Sequence, residues 1–345
     1  MGVDIGDLAI KNPVDFSSLY GKNISIDAFN SIYQFLASIR QPDGTPLQDF
    51  SGNITSHLSG LFYRTSKFLE SGIKPIYVFD GKPPEFKKDT IKERIKNKKE
   101  AEEKWKKALE DERYEDAKKY AQATSRLTSE MVEECKTLLD GMGVPYIQAK
   151  SEGEAQSAIM AKKGMVYASA SQDYDSLLFG APLLLRNLSL TGRRKVPGKD
   201  KYILVEPEQI SLSEVLEKNK ITLEKLIWIG VLCGTDFNKG VRRVGPKTAL
   251  KLVLEFDDFS RLKKHAEEKY SHSFETDPEK VIDFFKNPPY LEVNKINFGK
   301  INENSIKHLL CEKHDFSEDR VERTISNLLK ISDEISGQSK LDSWF

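Results

Sequence analysis

The sequence has few cysteines, no excess of charge of either sign and no long apolar run. Its three cysteines, Cys135, Cys233 and Cys311, fit neither a disulfide framework nor a zinc site. Lys and Arg together number 53, as do Asp and Glu, so the formal net charge is zero. With 39% hydrophobic residues, this composition excludes a disordered polyelectrolyte. The absence of an apolar signal core or membrane span predicts an intracellular protein without membrane contact.

Short strand-like runs alternate with helical patterns along the chain. The predicted strands are residues 24–29, 76–80, 166–168, 183–188 and 202–205. The predicted helices between them are residues 31–39, 56–70, 129–140 and 152–163. This alternation predicts an α/β fold with a mostly parallel central sheet flanked by helices.

Two segments break this alternation. Residues 82–122 are dense in Lys and Glu and have few large apolar side chains. A helix this polar either bridges solvent or folds only conditionally. The tail from about residue 327 ends in Trp344 and Phe345, which indicates either a flexible segment or a tail packed on its own domain.

Seven carboxylates follow predicted strands, open predicted helices or lie in a downstream loop. They are Asp27, Asp80, Glu152, Glu154, Asp173, Asp175 and Asp236. Singly, each fits a local role: a capping box for Ser151 and Glu154, a turn at Asp80, or a helix cap at Asp27 or Asp175. Together they indicate a site, because ligands of open parallel sheets bind beyond the carboxyl ends of the strands.

Convergent carboxylates repel one another, and divalent cations relieve that repulsion. Oxygen ligands without His or Cys favour magnesium or manganese over zinc. Two such ions about 3.5–4 Å apart are the usual arrangement for attack of water on a phosphodiester. The sequence therefore predicts phosphodiester hydrolysis at this site.

The cations needed to bind a phosphate lie in two basic segments. Residues 82–107 hold eleven Lys or Arg against six acids, and Lys87 and Arg94 are spaced to share one helix face. Residues 223–256 predict a helix, a loop and a second helix that begins after Gly245, surrounded by Lys239, Arg242, Arg243, Lys247 and Lys251. This pattern indicates contact with duplex backbone without base preference. The alternative for residues 82–107 is a solvated helix face with paired ions, and the alternative for residues 223–256 is an ordinary helix hairpin with a basic surface.

A third basic stretch, residues 186–199, is predicted to be a flexible loop that tracks phosphates.

Several motifs in order give the chain a family resemblance. They are IDAFNSIYQFL (26–36), YRT (63–65), GIKPIYVFDGKPPEFK (72–87), SEGEAQ (151–156), SQDYDSLLFG (171–180), LCGTDF (232–237) and VGPKTA (244–249). Nearly end to end, the chain resembles the flap endonucleases, structure-specific nucleases related to the Rad2/XPG group, and most closely the archaeal type.

The resemblance implies a role for each candidate residue. It implies two Mg²⁺ ions, replaceable by Mn²⁺, with one held by Asp27, Asp80, Glu152 and Glu154 and the second by Asp173, Asp175 and Asp236. It implies that Lys87 and Arg94 assist cleavage from a helical arch. The implied DNA-binding residues are Tyr33, which stacks on a base, together with Arg40, Lys239, Arg242, Arg243, Gly245 and Lys247. Many relatives carry glycine at the position of Arg243, a departure that bears on the turn and on a monovalent-ion site.

The resemblance also implies a PIN/5′-nuclease-like fold with a helical arch and a helix-hairpin-helix-type DNA-binding element. The regions expected are an N-terminal nuclease region (1–105), the rest of the arch (106–122), an internal nuclease region with the hairpin (123–260), a C-terminal helical region (261–326) and a flexible tail (327–345).

The activity implied is 5′ flap endonuclease with 5′–3′ exonuclease action in replication and repair. The partners implied are flapped or nicked duplex DNA and the sliding clamp PCNA, bound through Gln338, Leu341, Trp344 and Phe345, by a protein that is monomeric off the clamp. The implied location is the cytoplasm or nucleoid of an archaeon. The alternatives are a relative that cuts bubbles or nicked junctions, an RNA-cleaving domain of similar fold, and a clamp-tethered DNA-binding protein without catalysis.

Overall fold

The computed structural model describes residues 2–188, 192–195 and 202–342. Side chains are described through residue 331, except those of Asp89, Lys118 and residues 192–195 and 202–204. The strands are β1 (Asn12–Pro13), β2 (Asn23–Asp27), β3 (Lys74–Phe79), β4 (Tyr146–Gln148), β5 (Ala168–Ala170), β6 (Leu183–Arg186), β7 (Gly192–Lys195), β8 (Tyr202–Val205) and β9 (Glu208–Ser211). The helices are α1 (Ala28–Ser38), α2 (Ser56–Glu70), α3 (Lys88–Glu110), α4 (Tyr114–Gln122), α5 (Ser129–Gly141), α6 (Gly153–Lys162), α7 (Asp175–Leu178), α8 (Leu212–Asn219), α9 (Leu223–Cys233), α10 (Pro246–Glu255), α11 (Phe259–Tyr270), α12 (Pro278–Lys286), α13 (Glu303–Lys307) and α14 (Glu318–Asp342).

Seven strands form one mixed sheet in the order β1-β9-β6-β5-β2-β3-β4. The five strands from β6 to β4 pair in parallel, whereas β9 and β1 add antiparallel at one edge. In register, Asp27 pairs with Val78 and Ile26 pairs with Ala170, so β2, β3 and β5 end at the same edge. The predicted mostly parallel sheet flanked by helices is confirmed.

Helices cover both faces of this sheet because successive residues of a strand point to opposite sides. Along β3, buried Ile76 packs with Met160 of α6, whereas the hydroxyl of Tyr77 lies 2.8 Å from Thr65 Oγ1 of α2. The two main apolar clusters also lie on opposite faces, because adjacent β6 residues, Leu184 and Leu185, belong to one cluster each. The edge where the parallel strands end stays open to polar groups.

The polar segment 82–122 folds as two helices, α3 and α4, that pack on each other. The segment has few large apolar side chains, as the sequence indicates. The contact between α3 and α4 is made by small side chains instead. The buried alanines are Ala101, Ala108, Ala117 and Ala121. Alanine allows the two backbones to approach closely, while the Lys and Glu side chains remain at the surface.

Two predicted segments differ in the structure. Residues 192–195, placed by sequence in a flexible loop, form strand β7, which pairs with β8 in a separate two-stranded ladder. The segment from residue 327, predicted to be flexible, continues α14 through Asp342. This helix is anchored because Val321, Ile325 and Leu328 recur at helical spacing and are buried in the core.

Among the described residues, no helix is long and apolar enough to cross a membrane.

Candidate active site

The carboxylates that follow β2 and β3 hold the starts of two helices. Asp27 ends β2 and caps α1, with its Oδ1 accepting from Asn30 N at 2.9 Å. Asp80 follows β3, and its Oδ1 accepts from Gly153 N at the start of α6, at 2.6 Å. The helix-cap role considered for Asp27 is therefore real, and it fixes the carboxylate at the strand edge.

Glu152 and Glu154 lie at the N-terminus of α6. The capping box considered for Ser151 and Glu154 is not formed; Glu152 occupies the N-cap position without a side-chain cap bond. Asp80, which lies outside the helix, accepts the Gly153 N–H instead. Neither glutamate side chain is therefore used to cap α6.

Asp173 and Asp175 join the group from the loop after β5. Asn30 Nδ2 donates to Asp173 Oδ2 at 3.1 Å, so one residue of α1 contacts both Asp27 and Asp173. Val3 N donates to Asp175 Oδ1 at 2.7 Å, which brings the N-terminal segment against the same loop. Asp175 is the first residue of α7 and does not cap it, since the N-cap position is occupied by Tyr174.

Asp236 and two cations complete the cluster. Lys87 Nζ lies 2.5 Å from Glu152 Oε2 and 3.6 Å from Asp236 Oδ2, and its side chain is only 10% exposed. Arg94 Nη2 donates to Asp236 Oδ1 at 2.5 Å. The two cations therefore face the same carboxylate. They do not share a face of α3 as predicted, because Lys87 lies in the turn before the helix and inside the acidic cluster.

Burial and mutual repulsion dominate the electrostatics of the site. Burial raises the pKa of Glu152 and of Asp175 to about 7, with neighbouring carboxylates adding to the effect. Burial also raises the pKa of Asp27, Asp80 and Glu154, and the charges of Asp80 and Asp175 raise those of Asp27 and Glu154 further. For Asp236, burial acts upward but nearby positive charges, Arg94 and Lys87 among them, lower the pKa overall.

These residues fit a site for hard divalent cations. The acidic donors offer oxygen only, and Glu154 Oε1 is buried with no hydrogen-bond partner among the described residues. In the side-chain positions of the described residues, no three Asp, Glu, His or Cys side chains are arranged so that they could hold a metal ion. Lys87 and Arg94 instead neutralise Glu152 and Asp236. Ion binding would therefore require these side chains to rearrange around the incoming charge.

Tyr33 lies beside the cluster, and Arg40 lies at the far end of the same helix. Lys98 of α3 places its ammonium 4.6 Å from the centre of the Tyr33 ring, so an arch cation covers the predicted stacking surface. The Arg40 guanidinium donates to the carbonyls of Leu36 and Gly44 at 2.8 Å and to Ser125 Oγ at 3.0 Å. Arg40 thus ties α1 to the segment that follows the arch.

The basic helix pair forms as the sequence indicates, with α9, a loop and α10. Gly245 takes the N-cap position of α10 and Pro246 begins the helix. Arg243 adopts a left-handed conformation with φ of 68°, so the turn keeps the geometry that glycine would favour, at a cost of about 1 kcal/mol. Arg242 and Arg243 are exposed, whereas Lys247 pairs with Asp7 and Lys239 with Glu275.

Arg186 has a supporting role that sequence reasoning missed. It ends β6, within the predicted strand 183–188, although the basic stretch 186–199 also places it at the start of a phosphate-tracking loop. Its Nε donates to the Gln172 carbonyl at 3.0 Å, and its Nη1 donates to the Tyr174 hydroxyl and to Glu208 at 2.6 and 2.7 Å. The guanidinium therefore holds the loop that carries Asp173. No local signal marks this role, because it depends on the pairing of β6 with β5 and β9.

Comparison with known proteins agrees with this architecture. Residues 5–101 match the XPG N-terminal domain and residues 143–236 match the XPG I-region. Flap endonuclease 1 of Pyrococcus horikoshii is 52% identical over 346 residues, covering 100% of this chain and 98% of that protein.

Solved structures show the same fold. Flap endonuclease-1 from Methanococcus jannaschii superposes with a TM-score of 0.74 at 42% identity, covering 96% of this chain and 98% of that one. The catalytic core of Rad2 in complex with a DNA substrate gives 0.68 at 22% identity, covering 94% and 97%. At that identity the likeness to Rad2 concerns the fold alone.

Proposed function

The chain belongs to the flap endonuclease family and hydrolyses DNA, and from that premise we propose that it cuts 5′ flaps by a two-ion, magnesium-dependent mechanism. We include 5′–3′ exonuclease action and a role in replication and repair. The observation that supports the proposal best is the group of buried and half-buried carboxylates at the open edge of the sheet, where one glutamate oxygen has no partner among the described residues. A DNA-binding protein without catalysis gains nothing from buried acids that repel phosphate.

The residues divide into those that hold metal and those that face the substrate. When bound, two divalent ions activate a water molecule and stabilise the leaving oxygen. Asp27, Asp80, Glu152 and Glu154 would hold one ion, and Asp173, Asp175 and Asp236 the other. Mn²⁺ is expected to replace Mg²⁺, because both prefer oxygen ligands.

Lys87 and Arg94 supply the positive charge that a phosphate needs in this acidic site. Both already reach Asp236, so a scissile phosphate that approaches this carboxylate meets two cations within side-chain reach. Fixed cations in a site that excludes water stabilise the charge of the transition state.

Shape would provide the selectivity for junctions. The α9–α10 hairpin presents Arg242 and Arg243 to the backbone of a duplex, and α10 adds its free N-terminal amides. The α3–α4 arch stands over the carboxylates and places Lys98 over the ring of Tyr33 in α1, where both residues would meet a single strand. A flap that passes the arch places its junction at the acidic edge.

We expect a 5′-labelled flap duplex to be cut in Mg²⁺ much faster than a blunt duplex or a plain single strand, and none to be cut in EDTA. Gel analysis of the released strand measures this directly. Binding to the junction without cleavage in Mg²⁺ or Mn²⁺ would instead support the clamp-tethered binder. Equal cleavage of all three substrates would contradict the junction selectivity.

The C-terminus is proposed to bind PCNA, with the protein monomeric off the clamp. Gln338 and Leu341 lie in the described part of α14, whereas Trp344 and Phe345 lie outside the described residues. Among the α14 side chains that the structure describes, which end at residue 331, the buried ones are Val321, Ile325 and Leu328, and they precede this motif.

Deletion of residues 338–345 should therefore leave basal cleavage unchanged and remove stimulation by the clamp. Cleavage rates with and without PCNA, for full-length and truncated protein, test this. Loss of basal activity would show that the tail is part of the folded domain.

A further inference from the structure

Residues 288–302, which we call the C-terminal strap, run without regular secondary structure between α12 and α13. A structureless run of this length is uncommon in a compact domain and usually has a function. The strap is held firmly, because Gly299 N donates to the Gly143 carbonyl at 2.8 Å and the side chains of Val293 and Ile296 pack against β3 and α6. It therefore lies against the back of the helix that carries Glu152 and Glu154.

One buried side chain, Gln156, joins the strap to α6. Gln156 Nε2 donates to the Leu291 carbonyl at 2.9 Å, and Leu291 N donates to Gln156 Oε1 at 2.7 Å. Gln156 is 1% exposed, and 135 positions separate the two residues along the chain. A single amide thus satisfies both backbone groups of one strap residue.

This pair of bonds requires an amide. A carboxylate offers acceptors only, and an apolar side chain would leave both backbone groups of Leu291 without these bonds. Because the two bonds are parallel, they restrict sliding and rotation of α6 against the strap, which one flexible contact would not do.

The bonds lie close to the proposed metal site. Gln156 N donates to the Glu152 carbonyl at 3.2 Å, so the residue that grips the strap is also bonded to the residue that opens α6. Glu154 lies two positions before Gln156 and contributes the unpaired buried oxygen. Movement of α6 would shift both glutamates relative to Asp27 and Asp80.

We propose that Gln156 is a positioning residue that sets Glu152 and Glu154 for metal binding by fixing α6 to the C-terminal strap. The inference rests on the metal site of the proposed function. The proposal gives the strap a role in the nuclease site, although the strap and α6 lie far apart in the sequence.

The test compares Gln156→Met with Lys163→Met in the full-length protein. Lys163 also joins the end of α6 to the strap, through an exposed pair with Glu292 at 2.6 Å, and serves as the matched control. Gln156→Met should weaken Mn²⁺ binding to the DNA-free protein, measured by calorimetry, by roughly tenfold, the loss expected for a residue that supports a ligand. The Mg²⁺ concentration for half-maximal cleavage should rise equally, while KM for flap DNA stays within about twofold. Lys163→Met should change none of these values.

Gln156→Asn provides a second variant should Gln156→Met fail to fold. It keeps a neutral amide, but its side chain is one methylene shorter and cannot make both bonds to Leu291 while α6 and the strap stay in place. Mn²⁺ affinity should therefore fall as in Gln156→Met, while KM for flap DNA again stays within about twofold.

Wild-type metal affinity in Gln156→Met, or an equal loss in Lys163→Met, would overturn the positioning role while leaving the metal site in place. Wild-type metal affinity in a folded Gln156→Asn would also overturn it. A wild-type protein that binds no Mn²⁺ and cuts flaps in EDTA would overturn the metal site and this inference together.

Discussion

Asp175→Asn should lower the rate of flap cleavage on the order of 10³-fold, the scale expected when a group that stabilises transition-state charge is lost. The substitution removes a buried negative charge but keeps the oxygen that accepts from Val3 N at 2.7 Å. The fold should therefore persist. Binding of flap DNA should be unchanged or tighter, because one fewer charge repels the phosphates.

The measurement is single-turnover cleavage in saturating Mg²⁺, with affinity for the flap substrate determined separately in Ca²⁺. Asp257→Asn is the matched control, since Asp257 is fully exposed and pairs only with Lys225 in the structure. It should cleave at the wild-type rate. Cleavage by Asp175→Asn within about twofold of wild type would remove Asp175 from the proposed ligands.

The position of the acidic edge can be predicted from sequence because its determinants are local. Asp27 and Asp80 each end a run of apolar strand residues, and parallel strands bring such ends to one edge without further information. The same holds for helix α2, predicted and observed at residues 56–70. Local periodicity and strand termination suffice for these features.

Contacts between distant segments could not be predicted in this way. Sequence spacing places Lys87 on a helix face with Arg94, but its burial depends on Glu152 and Asp236, which lie far along the chain. The bonds between Gln156 and Leu291 are equally remote. The helix through residue 342 was missed because a polar, Ser-containing segment indicates a linker when the anchoring contacts of α14 are unknown.

Lys87→Met should lower cleavage by about 10²- to 10³-fold through the rate constant of the chemical step. Lys87 is enclosed, with its ammonium 2.5 Å from Glu152 and 5.4 Å from the centre of the Phe237 ring. Burial disfavours its charge, but the charges of Glu152 and Asp236 outweigh that effect and raise the pKa of Lys87. The site therefore keeps a positive charge at the pH of the reaction. Methionine keeps an unbranched side chain of nearly the same length and removes the ammonium with its charge and its bond to Glu152.

Single-turnover cleavage of Lys87→Met and Lys88→Met separates a role in the site from the general charge of the arch. Lys88 is the adjacent lysine, is 67% exposed and pairs only loosely with Glu85, so its loss should change the rate by less than about twofold.

Two opposite outcomes can be distinguished for Lys87. If it stabilises the phosphate, the rate falls at every Mg²⁺ concentration, because added metal does not replace the missing charge. If it only occupies the place of an ion between Glu152 and Asp236, the variant binds Mn²⁺ more tightly and cuts at the wild-type rate. The second result would show that Lys87 keeps the free protein neutral and takes no part in cleavage.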